Sequence, residues 1–329
     1  MARIAVIGSG AVGGYYGGRL ALAGHDVRFL VRSELDAWRA RGLRVFSVAG
    51  DFCLDPVQCF ARPEEIGEVD WVVCALKATA IGEARELIAP CVGPGTRILA
   101  LMNGLGNEPL LAEWFGGERV FGGMAFVCIN RGEPGVIHHL AYGRVSIGHF
   151  QDDARQTAEL AGLLGSGGIE VVVAPNLLYA RWEKLCWNIP FNGLSVAAGG
   201  VGTRSILDDP ELRATAERAM REVVAAGNAD LAAHGNEARL DEDDVVARMF
   251  AQTDVMGDYR TSMVIDYVLG RPLEVEAILG NPVRRARELG VSTPTMATLY
   301  ALVRQADLVR RGVRQSLTAE DVAAPQSVV

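Results

Sequence analysis

Short apolar blocks recur along the first half of the chain, and glycine-rich or polar stretches separate them. Segments with apolar residues at helical spacing, such as 80–89 and 154–164, lie between the blocks. This alternation of buried strands and helices predicts an α/β fold with a mostly parallel, doubly wound sheet of the Rossmann type. The predicted strands cover residues 4–7, 27–31, 43–47, 52–59, 71–76, 97–101, 120–129, 135–140, 145–149 and 171–174.

From about residue 179 the pattern changes to long segments with helical spacing and little strand signal, such as 210–234 and 241–256. We therefore predict a doubly wound α/β domain over residues 1–176 and an all-helical C-terminal domain over residues 177–315. The tail over residues 316–329 is expected to be poorly ordered.

The first apolar block, residues 4–7, runs directly into a Gly-x-Gly-x-x-Gly turn and then a helical segment. Gly8 permits the tight turn, Gly10 lets the backbone approach phosphates, and Gly13 lets the helix pack on the strand. The pattern predicts a dinucleotide site, with a merely structural strand–turn–helix as the alternative. The predicted cofactor-binding residues of the turn are Gly8, Ser9, Gly10, Ala11, Val12 and Gly13.

The residue after the second strand indicates which dinucleotide would bind. NAD-specific folds usually place a carboxylate there for the ribose hydroxyls, whereas this chain has Arg32. A guanidinium matches a phosphate through a planar, charged fork, so Arg32 predicts NADP(H). In the alternative interpretation, Arg32 is merely solvated and Glu34 contacts the ribose.

Composition narrows the classes of partner. The chain has 329 residues, 50% hydrophobic and 22% charged, with a net charge of −8 and no basic patch paired with aromatics, which disfavours nucleic acid. Its six cysteines form no Cys-x-x-Cys pair, so we expect no metal site and reduced thiols in a cytoplasmic protein. No secretory signal or membrane span is expected.

Lys184, Asn188 and Asn192 follow one another at four-residue intervals in the first segment of the predicted helical domain. This spacing drifts by only about 80° in total around a helix, so one face carries an ammonium and two amides among apolar neighbours. A semi-buried lysine suits proton donation, because burial lowers its pKa toward the working pH. Alternatively, these side chains satisfy backbone groups at a domain junction.

Other polar residues follow the ends of predicted strands, where open α/β sheets bind ligands. Lys77 and Asn103 occupy such positions, and we expect substrate in the cleft between the two domains. Ser262 and Glu274 lie in a helical region, and by themselves they would be interpreted as surface residues.

Together these motifs, in this order over residues 3–315, resemble the ketopantoate reductase (2-dehydropantoate 2-reductase) family. The resemblance implies an NADP-dependent oxidoreductase that reduces 2-dehydropantoate, a small 2-keto acid, to pantoate for pantothenate and coenzyme A biosynthesis. Within it, Lys184 would be the general acid and Glu274 would assist it. The resemblance also implies that Asn188 and Asn192 bind the substrate hydroxyl and that Ser262 binds the substrate carboxylate. Asn103 and Lys77 would line the junction between cofactor and substrate.

The chain departs from the family pattern mainly at Leu273, Leu279 and Met296, positions that bear on the choice of acid more than on the reaction. Two rival functions stay open at this point: a related β-hydroxyacid-type dehydrogenase acting on another acid, and a non-catalytic NADP(H)-sensing protein. The helical domain permits a homodimer without requiring one.

Overall fold

A computed structural model describes residues 1–316, so all of the predicted tail except its first residue lies outside the described residues. The chain divides into two compact units. The first contains Met1–Leu185 and Gly227–Leu240, and the second contains Cys186–Ala226 and the described residues from Asp241 to 316. The first unit therefore includes two stretches, 177–185 and 227–240, that the sequence pattern groups with the helical domain.

The first unit is built on one sheet whose strands run in the order β4-β3-β9-β8-β7-β6-β1-β2-β5, with β10 added beside β9. All neighbouring strands are parallel except β3 with β4 and β8 with β9. The prediction of a mostly parallel, doubly wound sheet is thus confirmed. The strands are β1 Arg3–Ile7, β2 Asp26–Leu30, β3 Leu43–Ser47, β4 Phe52–Leu54, β5 Cys59–Phe60, β6 Val69–Cys74, β7 Val92–Ala100, β8 Val120–Arg131, β9 Val136–His149 and β10 Val171–Val173.

Helices follow the strands in the first unit and make up the second, as the change of pattern near residue 179 predicts. They are α1 Ala11–Leu22, α2 Leu35–Arg41, α3 Ile81–Ile88, α4 Asn107–Phe115, α5 Ala154–Ser166, α6 Leu177–Ala197, α7 Thr203–Asp208, α8 Pro210–Ala233, α9 Glu242–Asp254, α10 Ser262–Val268, α11 Asn281–Glu288 and α12 Pro294–Arg310. A π-helical segment, Glu276–Gly280, precedes α11. None of the helices within residues 1–316 is long and apolar enough to cross a membrane.

Two strand predictions were wrong. The segment 52–59 is not one strand, because Pro56 cannot donate to a ladder and the chain turns there, so β4 pairs with β3 while β5 pairs with β2. Conversely, 135–140 and 145–149 belong to one long strand, β9. Tyr142 and Gly143 have positive φ, and the pairing of β9 with β8 shifts register there but continues.

The sheet curves around helix α1. Its two terminal strands, β4 and β5, are joined by four residues that span at most about 19 Å between Leu54 and Cys59, whereas a flat sheet would separate them by about 38 Å. Glycines of α1 meet both ends of the sheet. A Cβ on Gly17 would lie 2.6 Å from Phe29 of β2, the neighbour of the terminal strand β5, and one on Gly18 would lie 2.8 Å from Phe52 of the other terminal strand, β4. Helix α1 is therefore enclosed by strands.

Candidate active site

The glycine motif at the junction of β1 and α1 has three glycines with different surroundings, of which Gly8 and Gly10 lie in the turn and Gly13 lies in the first turn of α1. Gly8 has a φ of +97°, and a Cβ there would lie 2.6 Å from the backbone of Ala75. A Cβ on Gly13 would lie 2.3 Å from the carbonyl oxygen of Gly8, so the helix and turn are in close contact. A Cβ on Gly10, by contrast, would meet no described atom within 4 Å. The backbone at Gly8 and Gly13 is thus tightly packed, whereas the space beside Gly10 is open.

The start of α1 can receive an anion. Ala11 and Val12 open the helix, whose first turn carries no acidic side chain. The first N–H groups of a helix lack intrahelical partners and carry the positive end of its dipole. The Ser9 hydroxyl donates to the carbonyl of Leu30 at 2.8 Å and ties the turn to β2. With the open space at Gly10, these residues fit the pyrophosphate of a dinucleotide.

Arg32 and Glu34, the two candidates for the ribose end of the cofactor, have different environments. Arg32 is exposed, and its Nη1 lies 2.8 Å from Oε2 of Glu83 on α3. The Glu34 carboxylate is mostly buried and accepts from the indole Nε1 of Trp38 at 3.3 Å. It also accepts from the backbone N–H of Gly135 at 3.0 Å and pairs with the guanidinium of Arg131. Glu34 therefore holds the β8–β9 turn against α2.

Lys77 and Asn103 follow the carboxyl ends of adjacent strands, β6 and β7. Lys77 is exposed at the start of a short 3₁₀ turn before α3. Asn103 is half-buried, and its carbonyl accepts from the side-chain amide of Asn107 at 2.9 Å. The loop is tight, because Gly104 and Gly106 both have positive φ.

Lys184 lies in the first unit, together with the glycine turn and Asn103. The side chain is half-buried, and its Nζ donates to the carbonyl oxygen of Ala125 on β8. Nζ also lies 5.6 Å from the ring centroid of Phe126. Both contacts favour a positively charged amine at this position.

One pair of residues near Lys184 was missed in the sequence. Glu108 of α4 and Arg181 of α6 form an ion pair in which the side chains are only 4% and 3% exposed. Arg181 also donates to the carbonyl oxygens of Ala100 and Met102, at the end of β7. The sequence feature that could have revealed this pair is the charge of Arg181, which stands between apolar residues and three positions before Lys184.

The other predicted site residues lie in the second unit. Asn192 is fully buried. Its Oδ1 accepts from the backbone N–H of Met263 at 3.1 Å, and its Nδ2 has no hydrogen-bond partner within residues 1–316. Asn188 and Glu274 are also buried, with 5% and 7% exposure, and Glu274 lies just before the π-helical segment. Ser262 is exposed as the first residue of α10.

Helix α6, which carries Lys184, Asn188 and Asn192, continues through Pro190. A proline removes one backbone hydrogen bond, so the sequence predicts a kink there. The helix does not end at this position, because Ile189, Phe191 and Leu194 are buried and hold both of its turns. The three polar residues therefore belong to one helix, as their spacing predicts. No cluster of three or more His, Cys, Asp or Glu side chains that could hold a metal ion occurs in the described part of the chain.

Comparison with known proteins identifies the family. The family model "Ketopantoate reductase PanE/ApbA" matches residues 4–152, and the model of its C-terminal part matches residues 176–307. A 2-dehydropantoate 2-reductase from Nostoc sp. is 38% identical over 304 residues, which cover 91% of this chain and 93% of that protein.

Solved structures give the same result. A 2-dehydropantoate 2-reductase from Geobacter metallireducens GS-15 is 44% identical with a TM-score of 0.88, covering 92% of this chain and 99% of that one. The corresponding structure from Methylococcus capsulatus is 35% identical with a TM-score of 0.83, covering 94% and 97%. The resemblance found in the sequence is thus confirmed, and the chain belongs to the ketopantoate reductase family.

Proposed function

We propose that the protein is an NADP-dependent oxidoreductase that reduces 2-dehydropantoate to pantoate, a step of pantothenate and coenzyme A biosynthesis. The observation that carries this proposal is the similarity to proteins named 2-dehydropantoate 2-reductase over more than nine-tenths of the chain. The geometry near Lys184 supports it, because the amine lies in the same compact unit as the open glycine turn.

NADP(H) is the proposed cofactor. The glycine turn and the start of α1 would hold its pyrophosphate, and Arg32 would bind its 2′-phosphate. Glu34 already binds Trp38, Gly135 and Arg131, which supports Arg32 as the group that contacts the adenosine ribose end. When bound, the reduced nicotinamide supplies hydride to the C2 carbonyl carbon of the substrate.

Lys184 is the proposed general acid. Negative charge develops on the carbonyl oxygen as the carbon is reduced, and a nearby ammonium both stabilises that charge and donates the proton. Glu274 would assist Lys184, Asn188 and Asn192 would bind the substrate hydroxyl, and Ser262 would bind the carboxylate. Asn103 and Lys77 would line the junction between cofactor and substrate. These assignments rest on family membership together with the burial of Glu274, Asn188 and Asn192.

We further propose that the protein works in the cytoplasm on a small-molecule substrate. All six cysteines, which lie in the described part of the chain, are thiols and not members of disulfide bonds, and reducing compartments maintain cysteines in that form.

The reaction is tested by following NADPH absorbance with 2-dehydropantoate and with a panel of other 2-keto acids. We expect the highest kcat/KM with 2-dehydropantoate. A clear preference for another acid would instead identify a related dehydrogenase. Tight NADPH binding without turnover of any acid would identify an NADP(H)-sensing protein.

Lys184→Ala tests the proposed proton donor. We expect kcat to fall by about two to four orders of magnitude, with little change in the Kd for NADPH. Lys184→Arg is the matched control, because arginine keeps the charge but does not release its proton near neutral pH. Its kcat should also stay low, and a near-normal kcat in Lys184→Ala would remove the lysine from the mechanism.

A further inference from the structure

We propose that the buried Glu108–Arg181 ion pair is a positioning pair for the reaction. It fixes the first turns of α6, and with them Lys184, against the loop after β7 that carries Asn103. This inference rests on the proposed function, because it acts through the proton donor assigned there.

The guanidinium of Arg181 contacts three different groups of the first unit. Its Nε donates to Oε1 of Glu108 at 2.8 Å, and Nη2 contacts the same carboxylate oxygen. Nη2 also donates to the carbonyl oxygen of Ala100 at 3.1 Å, and Nη1 donates to that of Met102. One planar group therefore ties α6 to α4 and to the end of β7.

The contacts continue to Asn103. Met102 immediately precedes it, and Asn107, next to Glu108 in α4, donates to its carbonyl oxygen at 2.9 Å. The sheet also makes room for the pair, because a Cβ on Gly122 would lie 2.5 Å from Oε1 of Glu108.

Lys184 comes three residues after Arg181 in α6, so the two side chains leave the same side of the helix about 4.5 Å apart along its axis. Lys184 donates to Ala125 on β8, while Arg181 donates to the end of β7. Strands β7 and β8 are hydrogen-bonded neighbours. Any shift of α6 at Arg181 would therefore move the Lys184 amine relative to the sheet.

Stability alone gives a poor account of this pair. Burying two charges costs desolvation energy, and apolar residues of similar volume are often at least as stabilising. What the pair provides is a defined geometry, because the planar guanidinium holds several hydrogen-bond partners in one plane. Position matters for proton transfer, since a misplacement of about 1 Å can lower a rate by about 100-fold.

The test replaces the pair with apolar residues in the variant Glu108→Leu/Arg181→Met. We expect it to fold and to bind NADPH with a Kd within about threefold of wild type. Its kcat should fall by about 10- to 100-fold. In a Lys184→Ala background the same two substitutions should change kcat by less than about twofold, because the lysine they position is absent. An unchanged kcat in the first background, or an equal fall in both, would overturn the inference.

A second measurement observes the lysine directly. Lys77 and Lys184 are the only lysines of the chain, so reductive ¹³C-methylation labels these two and the N-terminus. We expect the Lys184 methyl resonance to shift in Glu108→Leu/Arg181→Met and the Lys77 resonance to stay in place. An unmoved Lys184 resonance would contradict the proposal without bearing on the reaction. Conversely, normal turnover by Lys184→Ala alone would contradict the proposed function.

If the double variant does not fold, Arg181→Lys replaces it in both backgrounds. Lysine keeps the charge opposite Glu108, but one ammonium cannot bind that carboxylate and both β7 carbonyls in the same plane. A lower kcat that depends on Lys184 is again expected, and a normal kcat would overturn the proposal.

Discussion

At the scale of single residues, the glycines of the first turn separate cofactor binding from folding. Gly10→Ala adds a Cβ where no described atom lies within 4 Å, so the free energy of unfolding should change little. The same Cβ would enter the space proposed for the pyrophosphate, so we expect the Kd for NADPH to rise at least tenfold. Fluorescence titration and thermal unfolding measure the two effects.

Gly13→Ala is the matched control. Its Cβ would lie 2.3 Å from the Gly8 carbonyl oxygen, so α1 must shift and the free energy of unfolding should fall by more than 1 kcal/mol, the order typical of overpacking. Equal loss of stability in the two variants would contradict the open geometry at Gly10.

The role proposed for Arg32 predicts a preference for NADPH over NADH. Arg32→Ala should weaken NADPH binding and leave NADH binding almost unchanged, because only NADPH has a 2′-phosphate. Glu83→Gln is the companion variant. It removes the carboxylate that pairs with Arg32 at 2.8 Å, and NADPH affinity should rise by up to about fivefold, as suits an exposed ion pair. Equal losses of NADH and NADPH affinity in Arg32→Ala would rule out the 2′-phosphate role.

Single residues also mark the limit of what the sequence could predict. The motif residues could be found because Gly8, Gly10 and Gly13 have the spacing of a dinucleotide motif, with a strand pattern before them and a helical pattern after them. The scarcity of lysine was a further signal, since only two of the 32 basic residues are lysines and both are predicted site residues. The burial of Glu108 and Arg181 could not be found this way, because it depends on three elements meeting in space.

At the scale of elements, His139 joins β3 to the bend in β9. Its Nδ1 lies 2.8 Å from the Ser47 hydroxyl, and its Nε2 lies 2.9 Å from the carbonyl oxygen of Tyr142. Burial lowers the pKa of His139 below its usual value of 6.5. The neutral ring therefore contributes stability fully above about pH 6.5, and that contribution is lost as the pH falls through the folded-state pKa.

We accordingly expect His139→Gln to flatten the pH dependence of the free energy of unfolding between pH 7 and 5. The wild-type slope from one proton is at most about 1.4 kcal/mol per pH unit. Urea unfolding at several pH values measures it. His138→Gln changes the neighbouring histidine and should leave this slope largely in place, so a flattened slope in that variant would contradict the assignment.

The element errors have local causes. Two consecutive residues with positive φ, Tyr142 and Gly143, bend β9 without ending it, and a period-two pattern cannot distinguish such a bend from a loop. In 52–59 the apolar pattern continues although the two halves pair with different strands. A short window of sequence cannot show which strand a segment pairs with, because the paired strands lie far apart in the chain.

At the scale of the whole molecule, the first unit is discontinuous, and its later segment is attached through Trp182. The Trp182 indole donates to the Asp230 carboxylate at 2.9 Å, and both residues are buried. A Cβ on Gly227 would lie 3.0 Å from the Trp182 side chain, so α8 lies close to this ring. The sequence predicts α6 and α8, but it does not show where each helix passes from one unit to the other. The helical periodicity is uninterrupted at those points.

Asp230→Ala should therefore lower the free energy of unfolding by about 1–3 kcal/mol, because it leaves the buried indole N–H without its acceptor. Asp208→Ala is the control, since Asp208 pairs with Arg204 on the surface and its loss should cost less than about 1 kcal/mol. Chemical denaturation measures both. Similar costs for the two variants would contradict a stabilising role for the Trp182–Asp230 contact.

The enclosure of α1 by both ends of the curved sheet has a consequence for ligand affinity. The amides that would meet a pyrophosphate are preorganised, so binding requires little further loss of conformational entropy from the turn. The unpaired amides at the start of α1 face the open space at Gly10 and can exchange with deuterated solvent without any opening of the strands, whereas the hydrogen-bonded amides of its later turns exchange only when the surrounding strands open. A bound nucleotide should therefore slow exchange at the first turn of α1 and leave the already slow exchange of its later turns almost unchanged.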